Sequence, residues 1–492
     1  MSKLTSLILL VKSLSKSEKK ALTLFSPSQK KSLYLILFKI IDKDNYVSED
    51  SISKAFYKKF PGSSLSANVQ YLFDLILQVI VNLNIRKNNE YELYNSYLKT
   101  KILRERGLYD DCLSLIHETK EKAKQIEEYN LLLTLQRDEL QSDMLDYFDH
   151  IKEKELFNKQ QEVNNNLKII KQINEQSFLY EMLRFRIEKQ KIINANNLYI
   201  YNDLLISEMT LVSGLNNEIF KISRQHQLFQ ANYFISIGSN KNALKSFSEL
   251  NNLYLKNEHL WNNPPVYYVM VLEGVLESLN RMRLFEEMNT YKDQLLSLAQ
   301  KYPYVNFTVE VNAIVFLYSV SSYMHNHEPK KCVDLITQYQ EILLDRLTLL
   351  PPRLFLSMNI CLSGIYFMNN DLANARRQLA PIIQNNTFNR LKLFRSAQLL
   401  NLIIYYELED TDYIEAVIRS IKIKNKKSNK ETQIERLLFR YLKTDWKILS
   451  KEKENKLKKK LKSEIESIRY NVEDLQLIKV FDFREWTLTK LK

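Results

Sequence analysis

Leu362-Ser363-Gly364-Ile365-Tyr366, followed by the turn Asn370-Asp371-Leu372-Ala373-Asn374-Ala375, decides how the rest of the chain is read. A bulky ring closes one helix, a polar turn breaks it, and a small residue opens the next. A ring set against a small residue lets two antiparallel helices approach closely. Apolar Leu379 follows Ala375 at the next turn of the same face.

The pattern extends in both directions. Polar turns lead into a compact residue at Gly238-Ser239-Asn240-Lys241-Asn242-Ala243, at Arg283-Leu284-Phe285-Glu286-Glu287-Met288, at His327-Glu328-Pro329-Lys330-Lys331-Cys332, and at Thr411-Asp412-Tyr413-Ile414-Glu415-Ala416. From Ala243 these anchors lie 45, 44, 43 and 41 residues apart. Tyrosines precede them in Tyr233/Ala243, Tyr323/Cys332, Tyr366/Ala375 and Tyr406/Ala416. Gly107-Leu108-Tyr109-Asp110-Asp111-Cys112 is an earlier copy, 131 residues before Ala243, which leaves room for two units whose turns the sequence does not mark. A fixed period of this size marks stacked helix pairs, each burying an apolar face on its neighbours.

This arrangement resembles the tetratricopeptide family, whose repeat pairs a tyrosine late in its first helix with an alanine in its second. The resemblance covers roughly residues 90–420. It departs from the family in its longer period, its missing tryptophan and the absence of a recurring closing proline. It implies an all-α fold: a right-handed α-solenoid of antiparallel helix pairs, with an N-terminal helical unit and C-terminal capping helices. The expected divisions are 1–85, 86–421 and 422–492.

The first unit is punctuated clearly. Ser15-Lys16-Ser17-Glu18 has capping-box spacing for a helix to about Phe25, and Ser26-Pro27 opens another through Ile41. Ser48 with Glu49 and Asp50 starts a short helix that Pro61-Gly62 stops, and a long one is expected over Leu65–Leu83. Short helices before a long one also resemble a helix-turn-helix module. At the far end, Phe481, Phe483 and Trp486 are expected to dock and close the array.

Composition agrees with long helices. Six glycines and nine prolines in 492 residues are too few for turn-rich β folds or doubly wound α/β folds. No two glycines lie within ten residues of one another, so phosphate-cradling loops are excluded. Nucleophile-elbow and His-Glu-x-x-His motifs are absent. His325 and His327 lack partners at zinc-ligand spacing, and Glu286-Glu287 and Glu127-Glu128 read as solvated pairs. Cys112, Cys332 and Cys361 form no even framework, which fits a reducing, cytoplasmic setting. No enzyme, cofactor or metal is expected. The run Leu4–Val11 reads as a packed helix, and no transmembrane segment is expected.

The formal charge of +13 is concentrated, because residues 421–462 hold 14 Lys and 2 Arg against 4 Glu and 1 Asp. Lys424, Lys426, Lys427, Lys430, Lys456, Lys458, Lys459, Lys460 and Lys462 are candidate contacts for an anionic partner. A solvated helix face is the plainer account of the same lysines. Polar Asn359, Ser363 and Asn401, on first helices of pairs, are candidate groove residues. The function expected is a scaffold that holds a protein or peptide in a helical-repeat groove. The alternative is a nucleic-acid-associated regulator acting through the basic C-terminal region or the N-terminal helices.

Overall fold

The computed structural model describes residues 2–25, 32–43, 49–145, 147–149, 151–189, 199–212, 214, 218–326, 328–391, 393–426, 432–444, 446, 449–468 and 481–491. Among them every regular element is a helix. The N-terminal unit comprises α1 (Lys3–Ser13), α2 (Lys16–Phe25), α3 (Leu33–Lys43), α4 (Glu49–Lys59) and α5 (Leu65–Asn84). Its core joins Leu7 and Val11 to Leu37, Ile41, Ile52, Phe56, Leu72 and Ile76. The capping box at α2 forms: the Ser15 N–H donates to Glu18 Oε2 at 2.7 Å, and the Glu18 N–H to Ser15 Oγ at 3.3 Å. The proposed starts at Ser26-Pro27 and Ser48 lie outside the described residues.

The chain continues as α6 (Asn89–Glu105), α7 (Tyr109–Gln125), α8 (Tyr129–Leu145), α9 (Glu153–Lys189), α10 (Tyr199–Val212), α11 (Phe220–Ser236) and α12 (Asn240–Lys256). Then come α13 (Val266–Met282), α14 (Met288–Lys301), α15 (Val305–His325), α16 (Pro329–Gln338), α17 (Pro352–Met368) and α18 (Leu372–Ile383). The last are α19 (Phe394–Glu407), α20 (Thr411–Lys426), α21 (Gln433–Lys443), α22 (Lys451–Ile468) and α23 (Phe483–Lys490). From α5 to α22 each helix touches the next. In addition α13, α15, α17, α19 and α21 touch in that order, skipping one helix each time.

This order explains two kinds of helix. Those that skip-contact have neighbours on several sides, so α15, α17 and α19 are buried nearly all round. Their partners α16, α18 and α20 bury one face and leave the other to solvent. Among the described residues two helices, α5 and α15, are long and apolar enough to cross a membrane by length and composition. Two-thirds (67%) of the apolar window of α15 is buried among other helices.

The anchors require one correction. Cys112, Ala243, Cys332 and Ala375 are each the fourth residue of their helix and are buried at 1% exposure or less. Ala416, however, is exposed, and the fourth residue of α20 is Ile414, at 2%. The last unit is therefore closed by a β-branched residue two positions earlier. The two unmarked units are also different from the expectation. Between α7 and α11 lie α8, the uninterrupted 37-residue α9, and α10, which packs on α9.

The aromatic end does dock. Phe481 lies against Gly364, where an added Cβ would sit 3.1 Å from its ring, and packs edge-on to Phe367 at 5.8 Å. The Trp486 indole N–H donates to Glu407 Oε1 at 3.1 Å, and its ring meets Tyr406 and Tyr441 edge-on. The N-terminal unit also turns back on the chain, with α1 against the 3-10 turn Leu344–Leu349. Asn263 Nδ2 donates to Lys87 O at 3.3 Å.

Candidate partner-binding surfaces

The three polar residues expected to line a groove are instead structural. Asn359, Ser363 and Asn401 are buried. Asn359 Nδ2 donates to Phe355 O at 2.8 Å, Ser363 Oγ to Ala375 O at 2.9 Å, and Asn401 Nδ2 to the Tyr413 hydroxyl at 2.9 Å. Each polar group is satisfied inside the helix packing, as burial demands, so none presents a free face to a partner.

Glu127 corrects another reading. It is buried, at φ +56°, in the turn between α7 and α8. Its carboxylate accepts from the N–H groups of Phe220 and Lys221 at 2.7 and 2.8 Å. A side chain of one helix pair thus caps the first turn of α11, where free N–H groups and the helix dipole favour an anion. Glu128, beside it, pairs with Lys221.

Of the histidine pair only His325 is described. The His325 ring meets Phe285 at 5.0 Å, tilted by 40°, and His327 lies outside the described residues. Among the described residues no three metal-ligating side chains converge. A cavity of about 310 Å³ opens between α7, α8 and α9, lined by Leu113, Phe148, Glu155 and Lys159. Lys159 is already engaged there by Asp143 at 2.6 Å and Glu139 at 3.1 Å.

A surface that sequence reading missed stands out instead. On α6, Tyr91, Tyr94, Leu98 and Ile102 are 39%, 44%, 59% and 54% exposed. Their spacing of three, four and four residues puts them on one helix face. The opposite face of α6 already buries Leu93, Ser96 and Thr100 in the core. The signal was present as a second apolar stripe, which a helix needing one buried face does not require.

The surroundings of this stripe are defined by the contact between Asn263 and Lys87. It makes neighbours of the starts of α6 and α13, although α7 to α12 separate them in the chain. Val266, Tyr267 and Met270, in the first turns of α13, are also exposed. Beside α13, Arg224 of α11 lies 5.6 Å from the Tyr267 ring and 5.9 Å from Phe220, within cation–π range. Its Nε has no hydrogen-bond partner among the described residues.

Two titrating groups, on α6 and α15, are displaced from their ordinary ranges. Burial, then the charges of Glu128 and Glu90, push the Tyr94 phenol above its ordinary range. Further along, burial and nearby Glu273 raise the Glu310 carboxyl.

Of the candidate lysines, Lys456, Lys459, Lys460 and Lys462 are exposed on α22, while Lys458 pairs with Glu454 at 2.9 Å. The side chains of Lys424, Lys426, Lys427 and Lys430 lie outside the described residues. No protein-family model matches the chain, and no curated protein is similar to it in sequence.

Proposed function

We propose that this protein is a non-enzymatic, cytoplasmic scaffold of tetratricopeptide-like helix pairs that holds a protein or peptide partner at the corner between α6 and α13. The exposed stripe Tyr91–Tyr94–Leu98–Ile102 carries the reading. Large apolar and aromatic side chains gathered on one face supply the contact area of a binding hot spot. Val266, Tyr267 and Met270 extend that area from a second helix. Sequential packing of helix pairs supports the α-solenoid reading, since most helices lean on those next to them in the chain. The partner would present apolar side chains at the spacing of one helix face, as in other helix-in-groove contacts.

A random peptide library selected on the full-length protein tests this. Selected peptides should share two or three apolar anchors and lose at least about tenfold in affinity for a Leu98→Glu, Ile102→Glu variant, since removing hot-spot contacts costs more than about 1.4 kcal/mol. Both substitutions are at exposed positions, so the fold should persist by circular dichroism. Peptides that bind wild type and variant equally would place the partner elsewhere and end the proposal.

A further inference from the structure

The last helices carry a second surface, independent of that corner. Helix α22 buries Leu461 and Ile465 in the C-terminal core, with Leu457 packed against it. Helical spacing puts Lys456 and Lys459 on the face away from that stripe and Lys453 and Lys460 on its flank, and all four are exposed. Neighbouring α21 buries Leu437, Leu438, Phe439 and Leu442 and leaves Arg436 and Lys443 exposed on one face.

The frame beneath these cations is fixed. An ion pair between Arg440 and Glu464 ties α21 to α22. A Thr432–Glu435 capping box starts α21, and Arg395 of α19 donates through Nε to the same Glu435 at 2.9 Å. None of the six cations Arg436, Lys443, Lys453, Lys456, Lys459 and Lys460 is in an ion pair among the described residues. On α22, Glu454 and Glu464 are spent on Lys458 and Arg440, which leaves exposed Glu452 and Glu466 as the opposing charges.

We infer that this face binds the phosphodiester backbone of a nucleic-acid duplex without reading its sequence. From Lys453 to Lys460 the helix advances about 10 Å at 1.5 Å per residue. Over that length a duplex presents about six phosphate charges, at one per ~1.7 Å of axis. Stacking on unpaired bases would need exposed rings. Phe439 and Tyr441 are buried instead, and Trp446 packs against the same core. Insertion into a lipid surface needs a free apolar face. The apolar side of α22 is already consumed by the core.

The test is fluorescence anisotropy of the full-length protein with DNA and RNA duplexes of about 30 base pairs, between about 50 and 200 mM salt. Wild type should bind both duplexes irrespective of their sequence, with affinity falling by about 0.9 log units per log unit of salt for each phosphate neutralised. A Lys456→Gln, Lys459→Gln, Lys460→Gln variant should lose about three of those phosphates from the slope and at least tenfold in affinity at the lowest salt. A Lys99→Gln, Lys241→Gln, Lys330→Gln variant, equal in net charge and altered only at exposed positions, should bind like wild type. A preference between the DNA and RNA arms would identify which duplex is the natural source. No duplex binding at the lowest salt, or an unchanged slope in the first variant, would overturn the assignment. So would tighter binding, through the same lysines, to phosphatidylcholine vesicles with about 30% phosphatidylserine.

Discussion

Glu139 shows what a single buried charge does in this fold. It is 1% exposed, with Lys120 as an ion-pair partner and Lys159 at 3.1 Å. Burial alone would raise its carboxyl, but the two ammonium groups outweigh burial and hold it below the usual carboxylate range. A depressed folded value means that the contribution to stability is present above the unfolded value, about 4.3. It is lost as pH falls through the lower folded one. Glu139→Gln should therefore cost about 3–5 kcal/mol near neutral pH, since it leaves buried Lys120 short of its partner. The gap to wild type should narrow below about pH 4. Urea midpoints at both pH values check this, and a gap independent of pH would show that the pair is not the source.

At the scale of elements, Gly274 governs how closely α12 and α13 approach. A Cβ on Gly274 would fall 2.2 Å from Phe247 Cε1, and Phe247 is itself buried. Gly274→Ala should cost about 1–3 kcal/mol by overpacking. Phe247→Leu in the same chain should recover part of that loss, because the three atoms nearest that Cβ all belong to its ring. Additive losses in the double variant, measured by denaturant melts, would refute the contact as the cause.

The same scale shows why sequence reading succeeded in some places and missed others. Turns such as Asn370-Asp371 were legible because a helix cannot pass through them: Asn370 sits at φ +61° and Asp371 caps Asn374. Helix α9 was not legible as one element, because the expected turns do not exist in it. Ala416 looked like an anchor by residue type, yet helix phase gave the buried place to Ile414. Asn359, Ser363 and Asn401 were misplaced because a polar residue that satisfies a buried carbonyl or hydroxyl reads the same as one awaiting a ligand. The face of α6 went unread because its apolar residues alternate with Glu92, Asn95, Lys99 and Lys101, and its buried face carries Ser96 and Thr100, so no single stripe marks the helix.

Across the whole molecule, cohesion is divided among local cores. One runs through α11 to α15, and another joins α17 to α23. In a chain of this size, linked largely by neighbour contacts, unfolding is not expected to be a single transition. Trp486→Ala, which removes a buried ring from the C-terminal core, should cost about 3–5 kcal/mol there. Hydrogen exchange should report lost protection in α19, α21 and α23, with α13 and α15 unchanged. Equal loss in both regions would mean that the cores unfold as one.

The fold-back of α1 onto Leu344–Leu349 has a consequence for biosynthesis. The α1–α5 core is complete once residue 84 has left the ribosome, yet its docking surface is made some 260 residues later. At about 5–20 residues per second, that is a wait of roughly 10–50 seconds. During that interval the newborn bundle must remain soluble alone, with the surface it will later press on α1's partner open to chaperones and to other nascent chains.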